Sequence, residues 1–342
     1  MASSSARAGV FKRVGTGVSG ALALLHTGLI VAYFVARRLG GNSVWFVDAA
    51  AYVLPWLFVP TLLLLPVSWL LCRSRVLTVV ALVPCVFFSS TYSHLFLPRW
   101  PVRAVGPTFT VMTHNVLYSN RDVGALMASI DEYEPDFFGL RELTEPMAQV
   151  LGTRLTERYP YHRVEPGCGF WSRYPILTYE AFHLFRWEGA WAQRFVLDIK
   201  GQEVTVISVH PRSPPLYGLP LSEVWGRLPT ALDDNGRDAD LGGLLARLDE
   251  TARPVIVIGD FNVTDQQSLY APLTRRLRDA HRESGWGMGF TFSHRPDVGL
   301  ALWRIDYVFY SPEMVALSTR MGDYAGSDHR PVIARLAFRA RE

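Results

Sequence analysis

The stretch Val255 to Asn262, VIVIGDFN, runs four β-branched apolar residues into an Asp and an Asn two positions apart. A run of this kind reads as a buried strand ended by Gly259 and Asp260. If strand geometry carries on past the glycine, Asp260 and Asn262 leave it on one side. A carboxylate beside an amide at the end of a buried strand can orient water next to a bound cation and a phosphate. Asp and Asn after a strand are also ordinary turn formers, so the pair acquires meaning only from the rest of the chain.

The rest of the chain repeats the pattern. Asn115 ends the alternating run FTVMTHNV, Glu142 follows the apolar DFFGL of residues 136–140, and His210 sits at the tip of VTVISVH. Asp306 lies in RIDYVFY (residues 304–310), and Asp328 and His329 stand together in GSDHRP (residues 326–331). Each has a bland reading: a Glu can favour a helix start, and a His at a strand end is often structural. Strand ends that converge on one edge, however, are where α/β folds place ligands. The carboxylates and amides are hard oxygen donors, suited to Mg²⁺ or Mn²⁺ more than to zinc. No Cys/His zinc spacing, serine elbow or phosphate-cradling glycine loop is present. Cys72 and Cys85 fall in apolar stretches, and Cys168 reads as a buried thiol. A cation with a histidine fits hydrolysis of a phosphoester by water.

These residues need strands and helices to hold them. Val123 to Tyr133 has helical spacing, Gly169 to Thr178 reads as strand–turn–strand, and Gln193–Ile199 pairs with Val204–His210 around Lys200-Gly201. Residues 211–240 form a long irregular segment with Leu216, Tyr217, Leu219, Leu221, Trp225 and Leu228. Loops of that length are functional or disordered, and so apolar a one reads as a flap over the site, a lipid-facing surface or ordinary packing. Leu241–Leu248 is expected as a helix, Leu269–Ala280 as amphipathic, Gly285–His294 as a Gly/aromatic loop and Val332–Phe338 as the last strand.

The first hundred residues are different in kind. Three uncharged apolar stretches, about residues 15–36, 49–72 and 76–98, each approach the ~20 residues that cross a hydrocarbon core. Three transmembrane helices are expected (residues 1–98), then a linker at 99–107 with Trp100 suited to the membrane interface, then a catalytic domain at 108–342. With the N-terminus inside, the cytoplasmic segments carry Arg7, Lys12, Arg13, Arg73 and Arg75, against Arg37, Arg38, Arg99 and Arg103 outside. That arrangement follows the positive-inside rule and places the catalytic domain outside the cytoplasm. The net charge of +3 is too small to point to nucleic acid.

In their order, Asn115, Arg141-Glu142, Ser208–His210, GDFN (Gly259–Asn262), RIDYVF (Arg304–Phe309) and SDHRP (Ser327–Pro331) resemble the endonuclease/exonuclease/phosphatase superfamily. The resemblance implies an α/β fold, a four-layer αββα sandwich of two mixed β-sheets with helices outside. It also implies roles. Glu142 is the principal metal ligand, with Asn115 and Asp328 beside it, for Mg²⁺ or Mn²⁺. Asp260 positions or activates the attacking water, and Asn262 holds the phosphate. His329 is the catalytic histidine, oriented by Asp306, and His210 contacts phosphate. Arg141 departs from the family's usual Gln, either adding positive charge for a multiply charged phosphate or entering a salt bridge. Arg194 and Arg212 are expected at the surface.

The three-helix anchor and ISVHPRSP around His210 further resemble the VanJ-type membrane phosphatases of actinomycetes, associated with teicoplanin resistance. That resemblance implies a metal-dependent phosphatase of the plasma membrane converting undecaprenyl pyrophosphate to undecaprenyl phosphate, which recycles the cell-wall lipid carrier. Its partner is then a lipid pyrophosphate, and no nucleic acid is expected. The competing readings are a sphingomyelinase-type lipid phosphodiesterase, an anchored extracellular nuclease and a non-catalytic membrane scaffold.

Overall fold

A computed structural model describes residues 2–40, 45–99, 106–185, 190–213 and 235–339. The chain divides into two compact units, Met1–Phe96 and Leu97–Glu342.

In the first unit, α1 (Ala2–Gly40) and α4 (Arg75–Tyr92) flank α2 (Trp45–Leu57) and α3 (Thr61–Pro66). Val14–Leu39 and Arg75–Leu95 are long and apolar enough to cross a membrane. The middle stretch, expected as one helix over 49–72, is instead a pair, Val47–Leu57 and Thr61–Leu71, bent by 48°. Proline explains the break. Pro60 at the turn has no N–H to continue the helix ladder, and Pro66 precedes a π-helical turn at Val67–Leu71. The unit thus holds two spans by length and composition, or three if the bent pair counts as one. Leu24, Leu25, Leu29, Val79 and Val86 point outward from the long helices, an apolar exterior that water does not favour.

Among the described residues, the second unit has twelve strands. They are β1 (Thr108–Asn115), β2 (Phe137–Leu143), β3 (Tyr161–Glu165), β4 (Gly167–Ser172), β5 (Ile176–His183) and β6 (Trp191–Ile199), then β7 (Gln202–Val209), β8 (Val255–Asp260), β9 (Arg278–Asp279), β10 (Asp306–Tyr310), β11 (Met314–Met321) and β12 (Val332–Phe338). One sheet has the order β11-β12-β1-β2-β4-β3 and the other β5-β6-β7-β8-β10-β9. Each is mixed, because β1 runs parallel to β2 and β7 parallel to β8 while their other neighbours are antiparallel.

The period of two along each strand decides the layers. Phe109 and Val111 of β1, Phe137 of β2, Phe195 of β6, Val206 of β7 and Ile256 and Ile258 of β8 meet between the sheets. The alternate residues face helices. Met112, Phe138 and Leu140 pack on Leu126 and Ile130 of α5 (Val123–Tyr133) and on Met147 and Leu151 of α6 (Glu145–Leu155). Ile207, Val209, Val255 and Val257 pack on Leu241, Leu244 and Leu248 of α7 (Asn235–Glu250). The layers are α, β, β, α. Each fully buried Leu, Val, Ile or Phe of these cores contributes roughly 1.5–3 kcal/mol.

Several boundaries differ from expectation. The strand expected over 136–140 continues to Leu143, so Glu142 lies inside β2 and not past it. Strand β7 stops at Val209, one residue before His210. The segment 269–280 is no single amphipathic helix but a turn of helix (α8, Tyr270–Thr274), the short β9 and the start of α9 (Ala280–Ser284). Strands β3 and β11 and helix α6 carry no signal noted in the sequence. Leu216–Leu228 and residues 100–105 lie outside the described residues.

Candidate active site

Following the inward-facing residues of each strand toward the same edge leads to one polar row. Val111 and Thr113 lead to Asn115, Phe137 and Gly139 to Arg141, Val206 and Ser208 to His210, and Ile258 to Asp260. On β10, Val308 leads back to Asp306. The register joins them directly, with Asn115 opposite Arg141 and Asp306 opposite Asp260. The pleat that buries the hydrophobic core therefore also aligns the polar groups at its end.

The side chains meet closely. Asn115 Nδ2 donates to Glu142 Oε1 at 2.8 Å and to Asp260 Oδ2 at 3.1 Å. His210 Nε2 stands 3.6 Å from Asp260 Oδ2 and 3.9 Å from Glu142 Oε1. His329 Nδ1 is 2.8 Å from Asp306 Oδ2, while its Nε2 looks toward Asp260 Oδ2 at 3.7 Å. The Asn262 N–H donates to Asp260 Oδ1 at 2.9 Å, and Asn262 Nδ2 donates to the Pro211 carbonyl at 3.0 Å. A pocket of about 520 Å³ opens over these groups, lined by Glu142, His210, Asp260, Asn262, Asp328 and His329 with Tyr118, Phe292 and His294 at its walls. That is the size of a small-molecule site.

Backbone strain holds part of this arrangement. Glu142 has φ +55°, where the register of β2 on β4 shifts between Arg141 and Leu143. Asn262 has φ +54°. Left-handed conformations at non-glycine residues cost on the order of 1–3 kcal/mol and concentrate at functional sites. Gly259, at φ +145°, has no such freedom of replacement: a Cβ there would lie 1.9 Å from the Val209 carbonyl oxygen of the neighbouring strand.

The electrostatics separate two roles. Burial opposes a charge on His329, but the Asp306 and Asp260 carboxylates outweigh it and raise the imidazole to about 10. Burial, with Asp306 next to it, pushes the Asp260 carboxyl up to about 7. Desolvation lowers His210 to about 4, offset in part by Glu142 and assisted by Arg141. A charged imidazolium thus faces a carboxylate whose affinity for a proton lies near neutrality.

The donor set fits a divalent metal. Glu142 and Asp328 keep 19% and 26% of their side chains exposed at the pocket wall, and burial raises the Asp328 carboxyl. Crowded hard-oxygen carboxylates are what a bound Mg²⁺ relieves. The ligating atoms of Asp260, Asp306 and His329 also lie within 4.8 Å of one another. Of these, Asp306 Oδ2 and His329 Nδ1 already satisfy each other. Asn115 turns its amide nitrogen toward the carboxylates and its Oδ1 toward the Leu117 N–H, so ligation by its oxygen requires the amide to turn over.

All eight residues expected from the sequence, Asn115, Glu142, His210, Asp260, Asn262, Asp306, Asp328 and His329, gather in this one place. Arg141 enters no salt bridge among the described residues: it is 2% exposed, with Nε and Nη2 buried and without hydrogen-bond partners there. Arg194 pairs with Glu180 at the surface, 3.5 Å away. Arg212 is at the surface as expected, 41% exposed, and also lines the pocket, clamped by the buried Asp240 through Nε at 3.0 Å and Nη2 at 3.1 Å. Tyr118 and Phe292 carry no site signal in the sequence beyond the Gly/aromatic composition around Phe292.

Comparison with known proteins agrees with this geometry. The profile of the Endonuclease/Exonuclease/phosphatase family matches residues 112–329. A structure of an endonuclease/exonuclease/phosphatase from Bacteroides vulgatus superposes with a TM-score of 0.53 at 20% identity, covering 68% of this chain and all of that one (100%). One from Beutenbergia cavernae gives a TM-score of 0.52 at 20% identity, over 69% of this chain and 72% of that one. D. rerio TDP2 complexed with single strand DNA product gives 0.54 at 16% identity, over 67% and 98%. These likenesses establish the fold. No curated protein matches the chain.

Proposed function

The chain belongs to the endonuclease/exonuclease/phosphatase family, and on that premise we propose that it is a membrane-anchored, divalent-metal-dependent phosphohydrolase whose substrate is a lipid pyrophosphate, undecaprenyl pyrophosphate. The observation that carries the chemistry is the pairing of Asp306-bound His329 with Asp260 across 3.7 Å at the floor of the pocket. His329, held protonated by its carboxylate, donates from Nε2 to a phosphoryl oxygen. Asp260 orients the attacking water and takes its proton, a task that a group near neutrality does well. His210, kept neutral, and Asn262 hold the phosphate against the floor. Glu142 and Asp328 would hold Mg²⁺, which when bound supplies positive charge to the phosphoryl oxygens.

The lipid half of the reading rests on the first unit. Val14–Leu39 and Arg75–Leu95 are two candidate spans, and in this reading the bent pair makes a third crossing of a plasma-membrane anchor. By the positive-inside count the catalytic unit faces outside, where the carrier lipid is released as a pyrophosphate. In that place its activity would recycle the carrier and support resistance to glycopeptides such as teicoplanin.

A phosphodiester substrate is the second reading, favoured by the fold shared with a protein solved with a single strand DNA product. The test is phosphate release by full-length protein in detergent with Mg²⁺, from undecaprenyl pyrophosphate, a soluble diester and single-stranded DNA in parallel. Release from the lipid alone is expected. Cleavage of a diester or DNA with silence on the lipid overturns the substrate and leaves the site.

A further inference from the structure

Among the described residues of the inward-facing row that ends in Asn115, His210, Asp260 and Asp306, Arg141 is the one arginine or lysine. Its strand position is fixed twice over, opposite Asn115 of β1 on one side and opposite Cys168 of β4 on the other. Gly139, two residues before it, lets the Ser208 side chain approach from the other sheet; a Cβ at Gly139 would stand 2.8 Å from Ser208 Oγ. The guanidinium is therefore enclosed between the sheets at the level of the site's floor, and is 2% exposed.

Its surroundings leave it unmatched. Burying a guanidinium without a partner costs several kcal/mol, and buried arginines are ordinarily forked onto a carboxylate. Here Nε and Nη2 are buried and make no hydrogen bond among the described residues. The carboxylates closest in the row bond other groups: Glu142 accepts from Asn115 and the Tyr118 N–H, and Asp260 accepts from Asn115 and the Asn262 N–H. Arginine cannot shed its proton to escape the cost. A permanent positive charge beside a phosphate pocket, only partly offset by Asp260, is complemented further when an anion arrives there.

We propose that Arg141 is a specificity-determining residue, a fixed buried cation that favours phosphates of high negative charge, such as pyrophosphate or a phosphomonoester, over singly charged diesters. The inference builds on the phosphohydrolase reading above. Arg141 acts from beneath the row through a medium of low dielectric, where a charge is felt farther than in water. Its effect scales with the total charge of the ligand and is little screened by salt, unlike that of a surface arginine.

The experiment uses full-length protein in detergent with Mg²⁺, as wild type, Arg141→Gln and Arg141→Lys. Calorimetry measures binding of inorganic pyrophosphate and of dimethyl phosphate, and Mn²⁺ binding is followed separately by its magnetic resonance. Arg141→Gln is expected to weaken pyrophosphate by about 10-fold or more, to change dimethyl phosphate by less than about 3-fold, and to bind Mn²⁺ as tightly as wild type or more so. Arg141→Lys keeps the charge and the selectivity. Unchanged pyrophosphate affinity in Arg141→Gln overturns the proposal, as does an equal loss for both ligands together with Mn²⁺. If Arg141→Gln does not fold, Arg141→Lys decides: a ratio of the two affinities like that of wild type supports the proposal, and its collapse overturns it. The lipid reading fails separately. Charge-selective binding through Arg141, with no turnover of undecaprenyl pyrophosphate, sinks that substrate and leaves Arg141 in place.

Discussion

Asp306 Oδ2 and His329 Nδ1 lie 2.8 Å apart in a buried pair, joining the first residue of β10 to a loop before β12. The pair fixes both the orientation and the charge of the imidazole, leaving Nε2 to face Asp260. Ser327 Oγ tightens the same corner by accepting the His329 N–H at 3.0 Å and donating to the Asn115 carbonyl at 2.7 Å.

Replacing Asp306 by Asn keeps the shape and removes the charge. Turnover is expected to fall about 10²–10⁴-fold with KM changed far less, because the pair orients a proton donor and not the substrate. Steady-state kinetics on phosphate release checks this. A variant within about 3-fold of wild-type kcat removes the pair from the mechanism.

Gly259→Ala tests the strand contact under the site. The new methyl would meet the Val209 carbonyl oxygen at 1.9 Å, so β7 and β8 must part and carry His210 and Asp260 with them. Melting temperature and activity are expected to fall together. A variant that melts like wild type contradicts the account of this glycine.

Arg304 of RIDYVF is structural. Nη1 lies 2.6 Å from Asp279 Oδ2 and Nη2 lies 3.0 Å from Asp265 Oδ2, with Arg304 only 3% exposed. Arg304→Gln removes the cation shared by the buried Asp279 and the partly buried Asp265, which keep Tyr270 and Arg282 respectively, and breaking a buried pair on one side costs up to about 3–5 kcal/mol. Thermal melts in detergent should drop by several degrees or more. If they do not, the network adds little.

His281 gives the protein a dependence on pH away from the site. Its Nε2 is 2.9 Å from the Gly287 carbonyl oxygen, which accepts its proton. Burial, and Arg304 after it, push the imidazole down to about 4. The unfolded chain, near 6.5, binds the proton first, so stability falls as pH drops from about 6.5 to about 4 and levels off below. The loss is of order 3 kcal/mol. Melting curves of wild type and His281→Gln, compared at pH 7.5 and 5, should converge at the lower pH. A constant gap between them contradicts the assignment.

Much of the site was legible in the sequence because strand ends carry it. VIVIGDFN advertises a buried run, FTVMTHNV a period of two and RIDYVFY an apolar strand opening on Asp306, and the polar residue at the site end of each falls on the inward face. Glu142 was placed one structural step wrong, since a φ of +55° and the bulge beside it leave no trace in DFFGLREL. Arg141 stands out in the sequence with two readings open, and the choice between them depends on where Glu142 and Asp260 direct their hydrogen bonds, which lies in the three-dimensional arrangement. That Arg212, at the surface, also turns along the pocket wall was not legible, because its clamp, Asp240, lies 28 positions away on α7. The short strands β3 and β9 were invisible for a different reason: edge strands bury little, and so β3 lacks an apolar pattern to read.

The central claim is that His329 and its carboxylates hydrolyse a lipid pyrophosphate, and one comparison tests it most directly. Phosphate release from undecaprenyl pyrophosphate is measured for wild type and His329→Ala, each with Mg²⁺ and again with EDTA. Release by wild type that EDTA abolishes, and a fall of about 10²-fold or more in His329→Ala, is the predicted result. Equal release by the two proteins, or none by wild type under any condition, contradicts it.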